Sequence, residues 1–166
     1  MIEFEKFVLG LTARAILLDN LEDNARAILA LIAQAKHSIY IYSYQLEPEI
    51  YENPVILGAL IRFLRFNPHV EVKVLLHDDF IPHRKSLHWL EISRRPASLL
   101  EMRQAPQYCG EHQESFLIVD GAGILWRQYY FQYQGMVNFY APGHALEKQT
   151  WHQQVWQNST PSNIRI

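Results

Sequence analysis

The chain has 166 residues, 49% of them hydrophobic, with 15 Lys and Arg against 17 Asp and Glu and a formal net charge of -2. That hydrophobic share excludes a disordered chain and is enough for a real core. The acid–base balance argues against a broad footprint for duplex nucleic acid, and the single cysteine, Cys109, excludes an internal disulfide and a cysteine-built zinc site. The first residues, Met1-Ile-Glu-Phe-Glu-Lys6, carry acids where a signal peptide carries a basic and then an apolar stretch. The richest apolar run, Val55 to Leu64, is broken by Arg62, well short of the roughly 18 uninterrupted residues of a membrane helix. A cytoplasmic protein with no membrane partner is expected, as one domain over residues 1–166.

In chain order, Phe4 to Leu9 and Ala13 to Leu18 flank Gly10 and suggest a hairpin or two short strands. Asn20 is placed to cap a helix whose first turn carries Glu22 and Asp23. Ala25, Ile28, Leu29, Ile32 and Ala35 recur at helical spacing, so residues 21–36 form an amphipathic helix. Ser38 to Tyr44, "SIYIYSY", is β-branched and aromatic on both faces, the pattern of a central strand covered on two sides. Asn53-Pro54 opens a second helix with Leu57, Leu60, Ile61 and Leu64 as its buried stripe. Val70 to Leu76 is a strand ending in His77-Asp78-Asp79, residues 83–95 a third helix, and 99–103 a short strand.

Ser115 to Val119 is an apolar strand, and Asp120-Gly-Ala-Gly123 a hairpin-like turn. Ile124 to Tyr133 returns as a strand, and Gly135 to Tyr140 is another. Pro142 opens a terminal helix that packs through Leu146, Trp151, Val155 and Trp156. Strands alternating with helices imply an α/β layered domain, a mixed sheet flanked by helices on both faces, with binding groups at strand ends.

This order, together with "IYSYQLEPEIYEN", "LLHDDFIPHRKSLHWLEISRR", "SFLIVDGAGILWRQ" and "VWQNSTP", resembles the phospholipase D-like superfamily, as a single degenerate domain of an uncharacterised bacterial group. That family's signature is His-x-Lys-x4-Asp followed by Gly-Ser-x-Asn. Aligned on Asp120, the resemblance sets Gln113 at the histidine position, Ser115 at the lysine position, and Arg127 to Tyr130 at the Gly-Ser-x-Asn positions. In that family the histidine attacks phosphorus and the lysine holds the phosphoryl oxygens. A glutamine amide is no useful nucleophile, and a serine supplies no cation.

His112 lies one residue off register, so strand alternation turns it to the opposite face. Asp-Gly is also a common turn pair, and a purely structural Asp120 suffices. His77, Asp78, Asp79, His83 and Arg84 gather after a strand and could contact a ligand, although no metal-ligand spacing appears. Tyr42, Tyr44, Arg127 and Tyr129 could line one anion-binding pocket. The plainer alternative packs the tyrosines and pairs Arg127 with an acid such as Asp120. His144 and His152 are expected to be solvated, and the tryptophans to pack.

These readings favour a non-catalytic binding or interaction module. The resemblance implies a homodimer with the Gln113 strand near its axis. An anionic ligand is possible, nucleic acid is disfavoured, and neither a cofactor nor a metal is expected. The alternative is a phosphodiesterase or nuclease with a rearranged site around His112, Asp120 and Arg127.

Overall fold

The computed structural model describes residues 1–66, 68–77, 87–107, 109 and 112–161, with the backbone alone of residue 87. Local chemistry starts most of its elements. Asn20 is extended, and its Oδ1 accepts the Asp23 N–H at 2.7 Å, so α1 (Leu21–Gln34) begins where the capping pattern says it should. Asn53 caps α3 (Pro54–Leu64) through the Val55 N–H at 2.9 Å, with Pro54 in the first turn, where its missing N–H costs nothing. Between them lie β2 (Ser38–Ser43) and one short helix the sequence did not announce, α2 (Pro48–Tyr51).

After α3 come β3 (Glu71–Leu76), α4 (Leu87–Ser93) and β4 (Leu100–Gln104). β5 (Ser115–Val119) and β6 (Gly123–Arg127) form a hairpin. Its turn residues Asp120 and Gly121 both have left-handed φ, +57° and +64°, the pattern a tight hairpin turn requires. β7 (Gly135–Asn138), α5 (Pro142–Gln157) and β8 (Thr160–Pro161) complete the order, and β1 (Ile16–Leu18) joins the sheet from the N-terminal region.

One eight-stranded sheet runs β1-β7-β6-β5-β2-β3-β4-β8. β2, β3 and β4 are parallel, and the remaining pairings are antiparallel. The sheet is therefore mixed, and its centre, β2, is covered on both faces as its composition demands. Ile39, Ile41, Leu117, Val119 and Leu125 join the main core with Ile28, Leu31, Leu60 and Phe63 of α1 and α3. Tyr40, Tyr42, Phe116, Ile118 and Ile124 project the other way, against Ala145, Val155 and Trp156 of α5.

Several expectations fail in informative ways. Phe4–Lys6 is a 3-10 turn rather than a strand, and it buries Phe4 against the α1 layer. The α3 stripe is rotated towards Ile56, Leu57, Leu60 and Phe63, while Ile61 and Leu64 are only partly buried. The strand expected to run to Tyr133, β6, ends at Arg127, and the residues after it leave the sheet and stack aromatic rings. In α5, Leu146 is 65% exposed, whereas His152 is fully buried. The buried face of that helix runs through 145, 152, 155 and 156 and carries a histidine, so apolar residues alone do not trace it. Of the third expected helix, residues 83–86 lie outside the described residues.

Candidate functional site

The register of the β5–β6 hairpin decides what each motif position faces. Ser115 pairs with Arg127, so both lie on the α1–α3 side of the sheet, as cross-strand neighbours at the end of the hairpin away from its turn. Arg127 is 2% exposed. Its Nη2 donates to Glu47 Oε1 at 3.0 Å and to the Tyr130 carbonyl at 2.6 Å, and its Nη1 reaches Glu47 Oε2 at 3.3 Å. The guanidinium also lies 5.5 Å from the centre of the Tyr133 ring. A cation therefore stands beside the position of the family's lysine, but a carboxylate neutralises it. Burial pushes the Glu47 carboxyl above its usual range, while the Arg127 charge acts in the opposite direction.

Asp120 does not pair with Arg127. It sits at the turn of the hairpin, a strand length of roughly 17 Å from the Ser115 end. Its Oδ1 accepts the N–H groups of His37 at 2.7 Å and Ser38 at 3.0 Å, and its Oδ2 accepts that of Lys36 at 2.9 Å. These bonds tie the turn to the start of β2. The one motif residue that survives is a structural brace.

On the α5 side, His112, Gln113 and Glu114 border a groove of about 520 Å³, with Trp126, Lys148 and Trp151 across it. Glu114 Oε2 accepts from Lys148 Nζ at 2.8 Å and from Trp126 Nε1 at 2.7 Å. The exposed His112 ring lies 4.9 Å from Trp151, and its carbonyl accepts the Tyr42 hydroxyl at 3.0 Å. Burial holds the Tyr42 hydroxyl well above its ordinary pKa. With Glu114 and Glu147 against one already paired lysine, the groove does not attract a bare anion. Above its rim Tyr129 and Phe131 stack at 5.3 Å and are 37% and 58% exposed.

Tyr44 stacks on Tyr130 at 4.2 Å and on His77 at 5.0 Å. The structure thus brings Ser115 and Arg127 together on one face, and His112 and Gln113 to a groove reached from the other. Tyr42 is packed and Asp120 is remote. The candidates Asp78 and His83, with Asp79 and Arg84, lie outside the described residues. No group of three or more His, Cys, Asp or Glu side chains able to hold a metal occurs among the described residues. Sequence reading missed Glu47 and Lys148. Glu47 lies in the loop after β2, where strand-end sites form, but nothing local named its partner 80 residues away.

This architecture is a phospholipase D-like fold. The phospholipase D family member Nuc from Salmonella typhimurium superposes with a TM-score of 0.62 at 19% identity, over 89% of this chain and 97% of that one. NucT from Helicobacter pylori gives 0.63 at 12% identity, over 89% and 98%. The archaeal chromatin protein TrmBL2, described as showing a novel mode of DNA binding, gives 0.65 at 15% identity over 89% of this chain, which spans only 54% of TrmBL2. These likenesses establish the fold. Residues 20–165 match the family described as a domain of unknown function, DUF7931, and the chain belongs to that family. No curated protein matches it.

Proposed function

We propose that this chain is a non-catalytic phospholipase D-like module that works by binding, as a homodimer. The observation that carries the reading is the burial of Arg127 against Glu47. The residue best placed to replace the lost lysine has its charge spent inside the protein, across from Ser115, and the nucleophile position two residues before that serine is Gln113. A phosphoryl group would meet neither an attacking imidazole nor a free cation there. The rearranged enzyme, built on His112, Asp120 and Arg127, would have to join groups that sit on opposite faces or at opposite ends of the hairpin.

The exposed Tyr129–Phe131 pair supports self-association. It lies beside the Gln113 strand, since the Tyr130 N–H donates to the Gln113 carbonyl at 2.7 Å. A two-fold axis there would cover both rings with the same surface of a second copy. The test has two arms. A generic aryl phosphodiester, without added metal, should show no turnover above background; turnover abolished by His112→Ala would overturn the non-catalytic reading. Sedimentation at micromolar concentration should give a dimer that Tyr129→Ser/Phe131→Ser dissociates, and a monomeric parent protein would overturn the dimer.

A further inference from the structure

The opposite end of the sheet presents a different surface. β2, β3 and β4 are parallel, so the C-terminal ends of α1, α3 and α4 all arrive at the edge where those strands begin. Each brings exposed cations: Lys36 after α1, Arg62 in the last turn of α3 and Arg65 directly after it, and Arg94 and Arg95 after α4. Charges on chain segments far apart in sequence thus share one edge. The ion pairs among the described residues use other cations, and none of these five side chains is paired with a carboxylate there.

The acids nearby are mostly engaged. Asp120 is saturated by backbone N–H groups, Glu71 holds the Tyr40 hydroxyl, and Glu101 meets Arg103. Glu91 on α4 is the exception.

Two grooves connect the cations through α3. Lys36 and Arg62 border a groove of about 590 Å³ with Val8, Leu9, Gly10 and Phe66. Arg65 and Arg95 border another between α3 and α4. Apolar side chains stand out at the first: Phe66 is 60% exposed, Val8 47%, and Leu11, in the same turn as Val8, 73%.

Cations at helix C-termini complement the helix dipole, which accounts for the arginines one by one. It does not account for exposed aliphatic and aromatic side chains among them. We propose that this edge docks on an anionic lipid bilayer, the cations meeting headgroups while Val8, Leu11 and Phe66 enter the interface. Two of these three, Val8 and Leu11, are aliphatic, which favours lipid over a nucleic-acid strand, whose bases stack on successive aromatic side chains. The absence of a long apolar span does not bear on this contact, because the surface is assembled from separate segments and lies on the membrane without crossing it.

The full chain should co-sediment with phosphatidylcholine vesicles only when they contain phosphatidylglycerol, and high salt should release it. Arg62→Glu/Arg65→Glu should weaken partition roughly tenfold or more. Leu11→Ser/Phe66→Ser should weaken it at unchanged salt dependence, and Lys6→Glu, away from the grooves, should leave it unchanged. All these side chains are exposed, and urea unfolding confirms that each variant folds; Lys36→Gln/Arg95→Gln is the milder second test. Equal partition onto neutral and anionic vesicles, or indifference to the charge reversal, would overturn the proposal. So would binding of a single-stranded oligonucleotide that is lost in Arg62→Glu/Arg65→Glu but untouched by Leu11→Ser/Phe66→Ser.

Discussion

The two faces of the sheet are built by different physics. The α1–α3 side is a broad, largely aliphatic core of Ile, Leu and Val from seven strands, β1 to β7, and from the helices packed on them, with the buried ion pair Arg127–Glu47 at its margin. Such a core needs only the correct alternation and volume. The α5 side is smaller and aromatic, and polar atoms run through it. His152 stacks on Tyr40 and on Trp156, at 5.2 Å and 5.7 Å, and its Nε2 bonds the Ile41 carbonyl at 3.0 Å. Tyr42 and Trp126 each spend a donor there. One side is mainly aliphatic packing with its buried charge held as a pair; the other relies more on hydrogen bonds from its rings to backbone and to Glu114.

The largest expected effect tests the aliphatic side. Glu47→Ala leaves the Arg127 guanidinium buried without its carboxylate and should cost about 3–5 kcal/mol in urea unfolding. The double change Glu47→Leu/Arg127→Met should cost less than Glu47→Ala, since it removes both charges and fills the space with apolar volume. A double variant as unstable as the single would break the comparison, because the margin would then need its charges.

The aromatic side should reveal itself through pH. Burial lowers the His152 pKa from 6.5 to about 4. The unfolded chain therefore binds a proton that the folded chain refuses. Stability from this group is complete above pH 6.5 and is lost as pH falls towards 4. The full loss is about 3 kcal/mol. Urea midpoints measured between pH 7 and pH 4.5 should fall accordingly, and His152→Phe should flatten that slope; a slope that persists would assign it to the carboxylates.

A smaller effect sharpens the same contrast. Tyr42→Phe removes the hydroxyl that reaches the His112 carbonyl and should cost about 1 kcal/mol. The smallest is Leu146→Ser. This residue lies on the solvent side of α5, and its loss should stay within about 0.5 kcal/mol. A large cost there would mean that something covers Leu146 in solution, and sedimentation of the variant would show whether a second copy does.

The contrast also explains what could be read in advance. Asn20, Asn53-Pro54 and Asp120-Gly121 each act on backbone within a few residues of themselves, so their caps and turn were legible. The central strand was legible because β2 is bulky on both faces. The α5 face was not, because Lys148, Gln149 and His152 occupy its buried or half-buried positions and break the apolar stripe. Leu146, the most apolar residue in its turn, points away.

The candidate site divides in the same manner. The departures at Gln113 and Ser115 were visible in the sequence. The partner of Arg127 was not, and the acid nearest in sequence, Asp120, proved to be the wrong one.

By itself the sequence determined the order of the main helices and strands from α1 onward, their principal caps, the hairpin turn and the departures from the phosphodiesterase signature, since each depends on neighbouring residues or on a short period. Only the tertiary structure decided that Glu47 neutralises Arg127 and that Asp120 braces the start of β2. It alone brought cations from three helices to one edge. Those outcomes depend on which strand ends meet across the sheet, and strand pairing is fixed by packing between segments far apart in the chain.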